Sequence, residues 1–537
     1  AIPIVRPLVL SIGSPEFFML SMLGITFLAS LSGDAIVKGL AAAALGLQFA
    51  SVGLDPISGI ERYTFDTLYL WDGIGLVPVT LGLFAIPEII DLSVRGTSIA
   101  EAFTGKLGGV TQGIKDTFRH WGLVLRCSAL GTYVGVIPGM GGSVSQWIAY
   151  AHAVQTSNDK DRFGKGAVEG VLGPGAANNS TLGGALVPTI AFGVPGSVTM
   201  AILLGAFIIQ GLVPGPPMLI PESQGGHLTL TFSFVWIIVV SNIVTVSVCF
   251  LFLNQLVKIT QVRGSLVIPF ILLLVYLGGF AEKNLFEDLM VVLIFGALGW
   301  VMVQLDWPRP PLILGLVLGP LAESNLFLST DNYGLEWFKF PGVIFIFLVI
   351  LAGTFYPIYQ RRRDKSRSAE QEREQEPAAA QPVSYWAPIF TLFLAGVFAW
   401  SLWEARDWGF RARMFPWAIG FPGLALLLLQ LDLDITGAIR TRAARPVATI
   451  KSNERTLVWR TLAVCGWILC FFIAIWVLGF ATAVPVMTFL YLKVGANERW
   501  PISIILTLLA WVSFYGLFEY ALHVPFPKGL LFEWVRF

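Results

Sequence analysis

The sequence predicts an all-α polytopic membrane protein, and three observations lead to that fold class. The 537 residues are 55% hydrophobic and only 13% charged, which is more apolar surface than a soluble protein can bury. Continuous apolar stretches of about 18 residues or more recur along the chain, and each is long enough to cross a bilayer as a helix. Because these stretches are continuous rather than alternating, a membrane β-barrel is disfavoured.

Residues 1–358 are predicted to form one transport domain with many spans. Several of the predicted spans are short or rich in Gly and Pro, unlike ordinary membrane helices. The spans lie near 15–32, 34–53, 69–92, 120–137, 140–155, 167–194, 197–213, 228–256, 264–282, 285–304, 310–328 and 338–358.

A charged segment then marks the clearest domain boundary. Residues 359–384 read YQRRRDKSRSAEQEREQEPAAAQPVS, with many charges and no apolar face, so a flexible, solvated linker is predicted. Residues 385–537 are predicted to form a second membrane domain of four or five helices. Its spans lie near 385–404, 413–431, 457–477, 479–493 and 501–521.

Basic residues predict how the chain is oriented. Five of them directly follow a span at the start of the linker, which places the linker in the cytoplasm. They are Arg361, Arg362, Arg363, Lys365 and Arg367. The basic stretch 433–456 lies two spans further on and falls on the same side. This orientation puts residues 404–414, EARDWGFRARM, with their three arginines, on the outer side. That placement runs against the rule that basic residues are enriched in cytoplasmic loops.

Two interruptions of the apolar pattern predict a binding site. Residues 135–143 read GVIPGMGGS and residues 193–197 read GVPGS, and between them residues 169–188 read EGVLGPGAANNSTLGGALVP. Non-helical backbone at membrane depth is tolerated only when it is buried in protein or lines a watery cavity. At such breaks, helix N-termini can bind anions and freed carbonyls can bind cations, as in many transporters.

The candidate substrate-binding residues come from the two breaks and the polar stretch. They are Pro138, Gly139, Gly141, Gly142 and Ser143 in the first break, Asn178, Asn179, Ser180 and Thr181 in the polar stretch, and Pro195, Gly196 and Ser197 in the second break. Small residues also allow membrane helices to pack closely, and hydroxyl groups also bond to the backbone freed at a break. The sequence leaves those structural roles open as alternatives.

Other polar residues in apolar segments are given structural roles. Asp34 and Lys38 are four residues apart and are expected to pair on one helix face. Glu169 opens the polar stretch, where a structural role and a role in ion coupling both stay open. His120 and His152 lie near span ends and are expected at the interface. The four cysteines, Cys127, Cys249, Cys465 and Cys470, lie in apolar runs and are interpreted as small buried hydrophobic residues.

The sequence gives no indication of an enzyme or of a bound cofactor. No motif for nucleotide binding, serine hydrolysis or metal coordination is present. The net charge of +1 does not suggest a nucleic acid partner. A membrane-embedded carrier is therefore favoured over a catalyst.

The ordered motifs resemble those of a known family. Residues 1 to about 358 resemble the large membrane subunit of the tripartite tricarboxylate transporters. The segments that carry this resemblance are GVIPGMGGS, the stretch from FGKGAVEG to GLVPGP, GSPEFFMLSMLGITFLASLSG, VGLDPISGIERYTF and PRPPLILGLVLGPLAE. The segments FPWAIGFPGLALLLLQL and GLFEYALHVPFPKGLL resemble the small membrane subunit of the same system.

The resemblance implies uptake across the bacterial inner membrane. It implies a small carboxylate substrate, from citrate-like tricarboxylates to dicarboxylates, and delivery by a periplasmic substrate-binding protein. It also implies coupling to a gradient of Na⁺ or H⁺ rather than to ATP, and a homo-oligomer is an open possibility. Alternatives are a carrier of a non-carboxylate anion, a non-transporting membrane scaffold and an incomplete fragment.

Two departures from the family pattern bear on these expectations. Pro174 is followed by Gly175, where the family has Pro-Glu, so a carboxylate is missing from the polar stretch. Nothing before residue 131 matches the family's first Pro-Gly hairpin. The chain is therefore expected to hold only the second of two inverted repeats, and the sequence starts at Ala1 without a signal peptide pattern.

Overall fold

The computed structural model describes most of the chain. The described residues are 12–30, 36–55, 58–95, 110–137, 141–157, 159–253, 255–256, 262–353, 386–443, 453–521, 523, 526 and 529–534. The predicted linker 359–384, Asp34, Pro138 and Gly139 lie outside them.

The described residues are almost entirely helical. The helices up to the linker are α1 (Ser14–Ser30), α2 (Ile36–Ala50), α3 (Leu76–Thr80), α4 (Ile86–Arg95), α5 (Val110–Arg119), α6 (Trp121–Val136), α7 (Gly141–Thr156), α8 (Glu169–Phe192), α9 (Val198–Ile209), α10 (Leu228–Leu251), α11 (Gly264–Phe280), α12 (Glu287–Gln304), α13 (Pro310–Tyr333) and α14 (Pro341–Gly353). The later helices are α15 (Trp386–Glu404), α16 (Phe410–Ala443), α17 (Asn453–Leu490), α18 (Trp500–Phe514) and α19 (Leu530–Trp534).

Length and composition mark this as a multi-pass membrane protein. Within the described residues, eight helices are long and apolar enough to cross a bilayer, and four further apolar helices are shorter. A helix pairs its own backbone N–H and C=O groups, and this is required in a bilayer because lipid tails offer no hydrogen-bond partners. The short helices α3 and α4 join through a π-helical turn, Leu81–Ala85, into one span, Leu76–Val94.

A short antiparallel hairpin was not predicted from the sequence. Strands β1 (Gly53–Leu54) and β2 (Glu61–Arg62) pair so that Gly53 faces Arg62. The turn between them is held by Asp55, whose carboxylate accepts a hydrogen bond from the Ser58 backbone N–H. The hairpin lies in the connection between the spans predicted at 34–53 and 69–92. The second of these spans starts later than predicted, because its α-helix begins only at Leu76.

The chain divides into two compact units. The first contains residues 1–73, 107–242 and 305–444, and within it α13 packs against α1 and α2. Gly46 of α2 and Gly315 of α13 each lie against a main-chain carbonyl of the other helix, so a side chain at either position would push the helices apart. Lys38, whose predicted partner Asp34 lies outside the described residues, donates to the Leu305 carbonyl over 2.8 Å.

The second unit contains residues 74–106, 243–304 and 445–537. Its apolar core is shared by α4, α11, α12 and α17. Fully buried members of this core include Leu272, Tyr276, Val292 and Phe480. Helix α17 and the π-helical turn Tyr491–Gly495 that follows it cover the two spans predicted at 457–477 and 479–493. The helix is kinked at Gly479, where φ is +73°.

The cysteine prediction was wrong for two of the four residues. Cys127 is buried, Cys465 is intermediate, and Cys249 and Cys470 are exposed on the outside of α10 and α17. A thiol is apolar enough to face lipid, so an apolar sequence context did not decide burial inside the protein.

Candidate functional site

The first predicted break separates α6 from α7. Helix α6 ends at Val136, and Ile137 turns into extended backbone while its N–H bonds to Val134 O. Helix α7 begins at Gly141, so Gly141, Gly142 and Ser143 form its first turn. The Ser143 side chain, and the whole of Pro138 and Gly139, lie outside what the structure describes. The N-terminus of α7 carries backbone N–H groups that have no partner within the helix.

The second break, residues 193–197, is described throughout. Gly193 adopts φ +66° and ends α8, where the backbone N–H groups of Gly193 and Val194 bond to Thr189 O and Pro188 O. Pro195 and Gly196 are buried. Ser197 is extended and caps α9, because its Oγ accepts a hydrogen bond from the Met200 N–H over 3.3 Å. Its hydroxyl therefore binds a freed N–H group rather than a freed carbonyl.

The polar stretch between the breaks is one continuous helix. Helix α8 runs through Pro174 and Pro188 without interruption, and it has two different faces. Its buried face carries small residues: Gly173, Ala177, Thr181, Gly184 and Ala185. Its opposite face is exposed and includes Gly175, Asn178, Asn179, Leu182 and Gly183. The polar stretch thus combines a packing face and an exposed polar face.

The buried face of α8 packs closely against α6. A Cβ built on Gly131 would lie 2.5 Å from Ala177 O, and one built on Gly135 would overlap Thr181 O. A Cβ on Gly184 would likewise overlap Thr132 O. Backbone-to-backbone contact of this kind is how small residues join membrane helices. The packing alternative therefore holds for these glycines.

The two breaks are brought next to each other. A Cβ built on Gly196 would lie 2.8 Å from the carbonyl oxygen of Gly135, in the last turn of α6, and 2.9 Å from Ala185 Cβ. Last-turn carbonyls of a helix have no i+4 partner and carry partial negative charge. The start of α9 thus lies beside the end of α6, which places helix N–H groups and a helix carbonyl in one region.

Polar side chains from α7 and α8 meet in the same three-helix group. The buried Thr181 Oγ1 lies 2.7 Å from Ser145 Oγ and 2.6 Å from Ala177 O. Gln146 Nε2 donates to Asn178 Oδ1 over 2.8 Å. Ser180 Oγ donates to Ala177 O of its own helix, and Asn179 is exposed. Thr181 and Asn178 therefore join α8 to α7, whereas Ser180 binds only its own helix.

Gln146 was missed by the sequence reasoning. It lies three residues after Ser143 in the first turns of α7, and the signal was a long polar side chain inside an otherwise apolar helix. A search for polar residues one or two turns after each break would have found it.

Glu169, the first residue of α8, contacts the residue that precedes α6. Its Oε1 lies 3.4 Å from Nε2 of His120, the residue before α6, and His120 Nδ1 lies 2.9 Å from Asp116 O. This contact supports the structural alternative for Glu169.

A second, buried charged cluster was also missed. Arg62 donates to Glu323 through its two terminal guanidinium nitrogens, Nη1 and Nη2, with Nη2 3.1 Å from Oε2. Its Nη1 also lies 3.3 Å from Asp55 Oδ1. All three side chains are almost fully buried. Arg62 and Asp55 belong to the segment VGLDPISGIERYTF and Glu323 to PRPPLILGLVLGPLAE, so the ion pair joins two of the motifs that carry the family resemblance.

Comparison with known proteins identifies the family. Residues 1–314 match the model of the Tripartite tricarboxylate transporter TctA family, which is more than half of the chain. The chain belongs to this family. Residues 383–527 match the Tripartite tricarboxylate transporter TctB family, so the protein is a fusion of a TctA part and a TctB part. Membership points to a transport protein and not to an enzyme.

Two relatives come from Agrobacterium vitis. A 52.8 kDa protein in the TAR-I ttuC' 3' region is 31% identical over 326 residues, which are 61% of this chain and 64% of that protein. A protein in the TAR-II ttuC' 3' region is 32% identical over 196 residues, which are 36% of this chain and 79% of that protein. The chain thus spans less than two thirds of the first relative. No solved structure matches the chain.

Proposed function

We propose that this TctA–TctB fusion takes part in secondary uptake of tri- or dicarboxylates across the bacterial inner membrane. In this proposal a periplasmic binding protein delivers the carboxylate, and a gradient of Na⁺ or H⁺ drives uptake. The observation that carries the proposal is the proximity of the two breaks, in which Gly196 lies beside the Gly135 carbonyl. Discontinuous helices of this kind form the substrate and ion sites of secondary transporters.

The two breaks suit an anion and a cation at once. The N-terminal turns of α7 and α9, with Gly141, Gly142 and Ser197, offer backbone N–H groups and the positive ends of helix dipoles to a carboxylate. The end of α6 offers the Gly135 carbonyl to a cation. Pro138, Gly139, Ser143 and Pro195 would shape the two turns.

The exposed face of α8 completes the proposed site. Asn178 and Asn179 are exposed on this helix, and exposed amides are costly in hydrocarbon. We infer that this face lines a watery cavity or contacts further protein. Ser180 and Thr181 support it from behind, through their bonds to Ala177 O.

Electrostatics favours coupling to cations. Moving one charge against a potential of 100 mV costs about 2.3 kcal/mol, so a trivalent anion entering a negative interior costs about 7 kcal/mol. About three co-transported monovalent cations would cancel that cost. A site that binds the carboxylate beside helix carbonyls can bind the co-transported cation as well.

An uptake assay tests the proposal. The complete transporter is reconstituted in liposomes with a cation gradient, a cognate binding protein and labelled citrate or a C4 dicarboxylate. Gly196→Val should abolish uptake, because the added carbons meet Gly135 O, and Asn178→Leu with Asn179→Leu should do so by removing polar contacts. Gly122→Val is the control, since nothing lies within 4 Å of its Cβ position.

The assay also separates the alternatives. Normal uptake by both test variants would remove the proposed site. Gradient-driven uptake of an anion other than a carboxylate would assign a different substrate class. Proper insertion with no uptake of any anion by the unmodified complete transporter would favour the scaffold.

A further inference from the structure

The TctB part does not lie in one compact unit. Its first two helices, α15 and α16, belong to the first unit, and its next two, α17 and α18, belong to the second. Within the first unit α15 packs against α16, and within the second α17 packs against α18. Each pair is therefore a helical hairpin that is packed within a different unit. Residues 444–452, which connect the hairpins, lie outside the described residues.

The hairpin α15–α16 binds to helix α2 and to the β-hairpin of the TctA part. Helix α16 packs along α2, where a Cβ built on Gly423 would lie 3.1 Å from Ala44 Cβ. Tyr63 OH donates a hydrogen bond to Ser401 O over 2.9 Å, and Arg62 Nη1 lies 3.4 Å from Ala412 O. The β-hairpin thus holds two main-chain carbonyls around the turn that joins α15 to α16.

The surroundings of Tyr63 favour its role as hydrogen-bond donor to Ser401 O. Its hydroxyl accepts a hydrogen bond from Gln48 Nε2 over 3.0 Å, and its ring packs between Trp400 and Trp408. Burial raises the pKa of Tyr63 to about 12. The phenol therefore keeps its proton across the physiological pH range and can always donate to Ser401 O.

The hairpin α17–α18 has a contact of the same kind in the second unit. Tyr276 of α11 is fully buried and donates to Ile468 O of α17 over 2.8 Å. Around it, α11 and α17 share the apolar core, and the rings of Phe280 and Phe480 lie 5.3 Å apart. Each hairpin of the TctB part thus receives one buried phenol from the TctA part.

We propose that the TctB part is two separately docked helical hairpins, 386–443 and 453–521, and that neither needs the linker to stay attached. Each hairpin has its own contact surface on the TctA part, made of apolar packing and one tyrosine that binds a main-chain carbonyl. The partner that these two surfaces fit is a TctB-type chain, whether or not it is covalently joined. Because the two surfaces share no residues, a substitution at one surface is expected to leave the binding of the other hairpin unchanged.

Cleavage of the folded full-length protein tests the proposal. Protease sites are placed in 359–384 and in 444–452, the intact protein is purified in detergent through an N-terminal tag, and both sites are then cut. We expect the two untagged fragments, which contain 386–443 and 453–521, to elute with the tagged fragment. Release of either fragment on cutting, under conditions in which the uncut protein stays monodisperse, would overturn the proposal.

Two matched variants separate the surfaces. Tyr63→Phe should speed the dissociation of the 386–443 fragment roughly fivefold, the factor for one neutral hydrogen bond, and leave the 453–521 fragment unchanged. Tyr276→Phe should do the reverse. Tyr133→Phe, at an exposed tyrosine of α6, is the control and should change neither. Equal effects of Tyr63→Phe and Tyr276→Phe on both fragments would show a single docked body and contradict the proposal.

Discussion

At the scale of single residues, adjacent glycines of α8 have different roles. Gly184 lies against the Thr132 carbonyl of α6, whereas nothing lies within 4 Å of the Cβ position of Gly183. The first position therefore sets the distance between two helices, and the second belongs to the exposed face. Sequence alone could not tell them apart, because both sit in the same Gly-Gly pair.

A matched pair of substitutions checks this difference. Gly184→Val should lower the stability of the detergent-solubilised protein by about 1–3 kcal/mol, the usual cost of overpacking, and Gly183→Val should stay within about 0.5 kcal/mol of the original. Thermal unfolding followed by the loss of helical signal measures both. Equal stability of the two variants would mean that α6 and α8 do not pack as described.

The buried ion pair predicts a large effect of one substitution. Arg62→Gln leaves the carboxylates of Asp55 and Glu323 buried without their cation and should cost about 3–5 kcal/mol. Adding Glu323→Gln removes one of those charges and should restore part of the loss. Arg411→Gln is the control, because Arg411 pairs with Asp331 at an exposed site and should cost less than about 1 kcal/mol. Thermal unfolding that ranks the control as the more harmful change would contradict this assignment.

At the scale of elements, the length of continuous apolar runs predicted most of the helices, but it did not predict the β-hairpin or the ion pair that connect them. The spans at 120–137, 140–155 and 285–304 agree with α6, α7 and α12, because an apolar run in a membrane has little choice but helix. The β-hairpin was missed because its strands are only two residues long. The pair Arg62–Glu323 was missed because 261 residues separate its members, and no local pattern links such distant residues.

The second break illustrates a limit of the site prediction. Pro195-Gly196-Ser197 correctly marked the end of one helix and the start of another, since Pro and Gly interrupt helices for reasons of backbone geometry. The partner of the Ser197 hydroxyl depends on backbone angles, and these placed it on the Met200 N–H. Whether Ser197 also contacts substrate stays a prediction.

Substitutions at Ser197 separate the cap from a ligand role. Ser197→Ala should cost about 1 kcal/mol of stability, and Ser197→Asn should recover most of it, because Asn is an equally good helix cap. If capping is its only role, Asn should also support full uptake. No loss of stability in the Ala variant would contradict a capping role, and loss of uptake by the Asn variant at restored stability would assign the hydroxyl a role beyond capping.

At the scale of the whole molecule, contacts within the first unit relate the side of the membrane on which the linker lies to the side on which the β-hairpin lies. The linker precedes α15, and the β-hairpin contacts Ser401 near the other end of that helix. If the linker is cytoplasmic, as the basic residues predict, the β-hairpin lies outside. The arginines of residues 404–414, which ran against the charge rule in the predicted orientation, have neighbours that bind them: Arg411 pairs with Asp331, and Arg406 and Arg413 lie over the rings of Trp403 and Trp417.

Labelling from each side of the membrane checks this orientation. In a cysteine-free background, Leu68→Cys, at a residue that is 74% exposed, should react with an impermeant maleimide in right-side-out vesicles. A protease added to inside-out vesicles should cut within 359–384 and leave two membrane-embedded pieces. Labelling only in inside-out vesicles, with cleavage only in right-side-out vesicles, would reverse the orientation.

Substrate protection at the exposed face of α8 tests the central claim most directly. Gly183→Cys lies one turn beyond Asn179 on that face, and Val171→Cys lies on the same helix near its start, also exposed. In the complete, otherwise cysteine-free transporter with Na⁺ present, citrate or a C4 dicarboxylate should slow maleimide labelling at position 183 several-fold and leave position 171 unchanged. No protection at position 183 by any carboxylate, or equal protection at both positions, would contradict a carboxylate site at the two breaks.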